Sequence, residues 1–390
     1  MPTIHRRDFL RTATRATVLA GCLPLLAACG QSAPASSPST PASGPPASSP
    51  AKPSASSAAP AASSAAATAS SKAGPLSPAV TLKVSNAKTA AHAALYIAIE
   101  RGYFREEGVN IEDAGAISLD AQIPQLGTGR LDVGLNSLVP GLLNAFARGV
   151  GVRILSMAID HQPGRSYPIV ARKELIDSGQ LKSYADLKGK TYSTTAIPSV
   201  AVYALDKALR LGGLKLSDVK LIALSFPNIA VALANKQVDL AFLAEPFATN
   251  AIQKGIALKW KEEAEFAAGH PQSIWLGSES LLTTQRDAAR RFMVAMLRGG
   301  RDYEAAFGQN KGRKEIVDIL IKHTTVKDPA LYDKMNWAKI PENPAIRMDL
   351  LKEDADWLVA QGGIQPLPDL SKLVATDPVQ YALQRLGASK

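Results

Sequence analysis

Between residues 80 and 272 the apolar positions follow two alternating patterns. Short apolar blocks predict strands at TLKVSNA (81–87), VNIED (109–113), LDVGL (131–135) and VRILSMA (152–158). Between them, HAALYIAIERGYF (92–104), LDAQIPQLGTG (119–129) and LVPGLLNAFARG (138–149) place apolar residues at helical spacing. The alternation then restarts. Strands are predicted at 189–195, 219–226, 238–242 and 256–260, with helices at 199–213, 228–236 and 246–255. Such alternation predicts parallel βαβ units. After IWLGSESLL (274–282) the pattern is wholly helical, at 286–307, 314–323, 329–335, 347–362 and 378–387. The first of these helices carries a weak point at Gly299 and Gly300.

The two stretches echo each other. LGTGRLDVGLNSLVP (126–140) and LANKQVDLAFLAEPF (233–247) both run leucine, turn, aspartate, apolar strand, then a helix opened by proline. Asp132 and Asp239 correspond. The prediction is a bilobed α/β fold with a cleft. Lobe one would comprise 80–172 and 273–390, with the late helices packed on it, and lobe two 173–272.

The first eighty residues read differently. RRDFLR (6–11) resembles a twin-arginine export signal. The thirteen apolar residues of ATVLAGCLPLLAA (16–28) are too few to span a ~30 Å hydrocarbon core but suit a signal peptide. They lead into LAAC, which resembles a lipobox with Cys29 as the lipidated residue. A rival LAGC at Cys22 has a shorter apolar segment before it. The expected division is a signal peptide at 1–28, then the lipidated cysteine and an Ala/Ser/Pro-rich linker at 29–79. That linker has too little apolar surface to offset the entropy of ordering it. An anchor, a tether and a folded body would hold the protein at a membrane surface.

Composition narrows the chemistry further. The net charge of +10 is spread along 390 residues without a basic tail, so no nucleic-acid partner is expected. Cys22 and Cys29 are the only cysteines, which leaves the mature chain no disulfide and no cysteine nucleophile in a cleft. GKT at 189–191 lacks the earlier glycine of a phosphate loop, because Tyr184 stands there. GTGRLD (127–132) precedes its strand and has Asp132 where a dinucleotide loop needs glycine. Neither a GxSxG elbow nor an HExxH pair occurs. His92, His161, His270 and His323 are scattered. No enzyme activity, metal or cofactor is expected.

Ligands of open parallel sheets bind where strands end and helices begin. Those turns hold His92, Asn136, Ser137, Thr194, Thr195, Ser199, Phe226, Asn228 and Glu245, several of them beside a proline that opens a helix. Free N–H groups at helix starts favour an anion. Ser137, Thr195, Ser199 and Asn228 read first as plain helix caps, Phe226, Phe242 and Phe247 read first as core, and Glu245 is equally an acid at a helix start. Glu245 is expected to face the cleft or to bond across the lobes.

Several stretches also resemble a known family. ALYIAIERGYFREEGVNIE (94–112), LGTGRLDVGLNS (126–137), ARGVGVRILSMA (147–158), YADLKGKTYSTT (184–195), LAEPF (243–247) and DPVQYALQRLG (377–387) are similar to bacterial solute-binding proteins of ABC importers, in the nitrate/sulfonate/taurine and thiamine-pyrimidine-precursor group. The resemblance implies a type II periplasmic-binding-protein clamp that closes on a small molecule and docks on a permease. It implies a monomeric, exported lipoprotein on the outer face of the cytoplasmic membrane or in the periplasm. The expected solute is a small anionic or zwitterionic compound of the sulfonate, taurine or nitrate kind. A pyrimidine or aromatic compound is the alternative. A sensor subunit and a pyrimidine-synthesis enzyme share the fold, and the missing cysteine argues against the enzyme.

Overall fold

The computed structural model describes residues 74–364 and 366–387, all within one compact unit. The signal, lipobox and most of the linker therefore lie outside the described residues. Among the described residues ten strands form two five-stranded sheets. The first contains β1 (Val80–Val84), β2 (Val109–Asp113), β3 (Val133–Asn136), β4 (Val152–Ile159) and β10 (Ser273–Ser278), in the order β2-β1-β3-β10-β4. The second contains β5 (Pro168–Arg172), β6 (Thr191–Thr194), β7 (Lys220–Ala223), β8 (Leu240–Phe242) and β9 (Ala257–Glu262), in the order β7-β6-β8-β5-β9.

The sheets share one plan. In each, four strands run in the same direction and one inserted strand, β10 or β5, runs antiparallel to both its neighbours. The sheets are thus mixed, where the alternation predicted parallel pairing. The echo between Asp132 and Asp239 extends to individual bonds. Asp132 Oδ2 accepts from Lys83 N at 2.8 Å, and Asp239 Oδ2 accepts from Thr191 N at 2.8 Å. The carbonyl of Asp132 accepts from Ser278 N and that of Asp239 from Arg172 N, both at 2.9 Å. Ser278 and Arg172 are the last residues of the inserted strands.

Two expectations are corrected. Pro168–Arg172 belongs to the second sheet, so that sheet begins one strand before the expected boundary at 173. The late helices do not all pack on lobe one. Arg286–Gly308 does, with Phe292, Met293, Met296 and Tyr303 buried along one face. Asp377–Leu386 lies against that helix, and Glu107, nearly buried, accepts from Arg291 and Arg385. Met348–Ala360 instead meets the amphipathic helix Val200–Leu211 of the second lobe. There Trp357 Nε1 donates to Asp206 at 3.0 Å, and Asp354 bonds His270 in the crossover at 2.7 Å.

Gly299 is not a weak point, since the helix runs through it unbroken. A Cβ on Gly299 would lie 2.2 Å from the carbonyl oxygen of Ala94, so the glycine lets helix Ala93–Glu100 approach. Among the described residues no helix is long and apolar enough to cross a membrane.

Candidate functional site

A pocket of about 110 Å³ opens between the sheets, where the parallel strands of both end. One water needs ~10–15 Å³ on the same measure, so the space suits a small organic molecule. From the first lobe come the turn after β1 with Ser85, Thr89 and His92, the start of helix Leu119–Gly127 with Gln122, and Asn136 and Ser137 after β3. From the second come Thr195 after β6, Phe226 after β7, and Phe242 and Ala244 at the end of β8. The two crossovers between the sheets add Tyr167, Gln272 and Ser273.

Five expected residues therefore meet in one place: His92, Asn136, Ser137, Thr195 and Phe226. Four do not line it. Thr194 is buried in β6, and Asn228 is exposed on helix Phe226–Ala234. Ser199 sits buried at a helix N-cap with its Oγ unpartnered. Glu245 is fully buried, and its carboxylate is turned to Asn336 and Thr249 instead. Burial pushes the Glu245 acid above its ordinary value, against the pull of those bonds.

Reading strand ends alone missed Tyr167, Gln272 and Ser273, because the crossovers carry no period of their own. Thr89, Ser85 and Gln122 are polar residues next to apolar runs, and only the folded turn shows which way they face.

Among the described residues, no lining side chain is an Asp, Glu, Lys or Arg. His92 brings no charge either: burial lowers it to about 4, and the Asp113 carboxylate only partly opposes this. Its Nδ1 lies 3.1 Å from Thr89 Oγ1, and its ring stands edge-on to Trp275. Asn136 is spent on the backbone, donating to Leu119 O and accepting from Ser137 N. Ser137 Oγ donates to Gln272 O at 2.6 Å. Among the described residues, Ser85 Oγ and Gln122 Oε1 are buried without a partner. Gln122 is oriented by its Nε2, which donates to Ile117 O. Three aromatic rings, Tyr167, Phe226 and Phe242, lie close together on one side.

Residues 89–307 match the model of the NMT1/THI5-like family. The chain belongs to that family. This NMT1/THI5-like chain is 25% identical over 236 residues to a protein of Brucella abortus (strain 2308) named as a binding protein, covering 59% of this chain and 67% of the other. Its fold is that of the bilobed periplasmic binding proteins. It superposes on the alkanesulfonate-binding protein SsuA from Xanthomonas axonopodis pv. citri, bound to MOPS, with a TM-score of 0.60 at 19% identity. That match covers 76% of this chain and 98% of the other. It also superposes on the desulfurization enzyme DszB, with a TM-score of 0.57 at 17% identity, covering 78% of this chain and 99% of the other.

Proposed function

We propose that this chain is the solute-binding component of an ABC-type importer. It catches a small organic solute between its lobes and presents it to a membrane permease. The observation that carries this reading is the pocket itself, built from the strand ends of both sheets and free of charged side chains. SsuA, named as an alkanesulfonate-binding protein, has the same fold and supports the solute class.

The proposed solute is a small acid of the sulfonate or taurine kind. Helix starts at Leu119, Pro140 and Phe226 lie at or just beyond pocket residues. Their unpaired N–H groups can meet an anion without any cationic side chain, and the aromatic side can cover an apolar body. A second reading, an uncharged ring such as a pyrimidine, is favoured by the same lack of charge and by Tyr167, Phe226 and Phe242. Binding rather than catalysis is supported by the lining, which contains no cysteine, carboxylate or lysine.

A thermal-shift panel of taurine, an alkanesulfonate, toluenesulfonate, nitrate and an aminopyrimidine tests both readings. A true ligand at a hundred times its Kd adds ~2.7 kcal/mol of stability, which moves the midpoint by several degrees. A response to sulfonates alone supports the anion, and a response to the aminopyrimidine alone supports the ring. Silence across the panel counts against solute capture.

We also propose that the body is tethered through Cys29. Cys29→Ala is expected to move the protein from the membrane fraction to the soluble one. Retention of that variant on membranes would point to Cys22 instead.

A further inference from the structure

We infer that Glu245 is a latch between the lobes, fastening the end of β8 to two separate parts of the first lobe. Its Oε1 accepts from Asn336 N at 2.9 Å, from Asn336 Nδ2 at 3.1 Å and from Thr249 Oγ1 at 3.0 Å. Its Oε2 accepts from Thr249 N at 3.1 Å. Its carbonyl accepts from Ala90 N at 3.2 Å. Thr249 is on helix Phe247–Gln253, which follows Glu245 in the second lobe.

Asn336 and Ala90 are on the other side. Asn336 opens a segment held to the first lobe at several points. Ala338 O accepts from Tyr303 OH at 2.7 Å, and Ile340 N donates to Glu304 at 2.8 Å. Lys339 O accepts from Asp160 N, and Pro344 O from Met157 N, each at 2.8 Å. Ala90 begins the turn that carries His92 into the pocket. Lys334, just before Asn336, extends the seam to Gln253.

One buried residue therefore grips both lobes, and its main chain holds the wall from which His92 lines the pocket. Parting the lobes takes the Asn336 donors from a carboxylate that water does not reach. Bonds to a buried charge are costly to break without replacement. The latch thus biases the chain towards the closed form before any solute arrives. Glu245 acts as a positioning residue, since it does not line the pocket.

The inference assumes the two-lobed capture proposed above, but its test needs no solute, so the two can fail separately. Cysteines at the exposed positions Glu112 and Lys188, in the full chain with Cys22 and Cys29 changed to Ser, carry a spin-label pair across the lobes. In the unvaried Glu245 chain the pair should show one narrow distance distribution. Glu245→Ala should add a longer population and raise the open-to-closed ratio roughly tenfold or more, the scale of one lost charge-assisted bond. Glu245→Gln should fall between, because its amide keeps an acceptor for Asn336 but turns a donor towards Thr249 N.

Should Glu245→Ala not fold, Asn336→Ala removes a donor from across the lobes and should lengthen the distances. A lower melting temperature with unchanged distances would make Glu245 a support of the fold only and overturn the latch. Unchanged distances in Asn336→Ala would overturn it as well.

Discussion

Asp132 and Asp239 show how much one side chain can organise. Each binds a neighbouring strand through its carboxylate and the inserted strand through its carbonyl. Replacing either with alanine leaves a strand N–H without its partner, which should cost ~1–3 kcal/mol. Asp239→Ala should cost more, because Asp239 also accepts from Arg172 Nη2 at 2.6 Å. Urea midpoints of the two variants check this order. A second residue-scale prediction concerns the crossovers, where buried Glu263 lies 3.2 Å from His161. Burial, with the Asp354 charge adding to it, pushes Glu263 up from 4.5 to about 8, and burial lowers His161 from 6.5 to about 4. Folded Glu263 keeps a proton that the unfolded chain releases. Its contribution is therefore whole below about pH 4.5 and drains away as pH rises to about 8. His161 works in the opposite sense, gaining stability from about pH 4 to 6.5. Between pH 6.5 and 8 only Glu263 of this pair still changes. Melting temperatures should fall over that window relative to those of Glu263→Gln, and parallel curves would refute the assignment. At this scale the sequence was partly legible. The aspartate echo could be seen because its spacing repeats. The two roles open to Glu245, facing the cleft or bonding across the lobes, could not be told apart, because its partner Asn336 is ninety-one residues away.

Whole elements were more legible than their neighbours in space. The periods located the helices of seven residues or more and eight of the ten strands described, since half-buried elements must alternate polar and apolar faces. The strands not foreseen were the inserted pair, β5 and β10. PIVAR starts with proline just past a loop, and SIWLGS runs directly into a helix, so neither shows a bounded block of its own. Antiparallel insertion also leaves no mark in a buried strand, whose two faces are both apolar. The closest helix contact gives a sharp test. Gly299→Ala should destabilise the chain by ~1–3 kcal/mol, since its Cβ would strike the backbone oxygen of Ala94. Gly300→Ala should cost far less, because its Cβ would meet only a methyl of Ile340 at 3.1 Å. Thermal melts of the two variants separate close helix approach from simple helix propensity, which would favour alanine at both.

For the molecule as a whole, the pocket depends on pieces that converge late in the chain. Tyr167 and Gln272 come from the two crossings between lobes, and Asn336 reaches back from beyond both. The order of the strands sets a further condition on how such a molecule can be made. Residues 168–262 supply all five strands of the second sheet in one uninterrupted stretch. In the first sheet β10 separates β3 from β4, so β4 has no strand beside it until Ser278 has been synthesised. During synthesis, the half of the protein that emerges first must therefore be the half that finishes folding last.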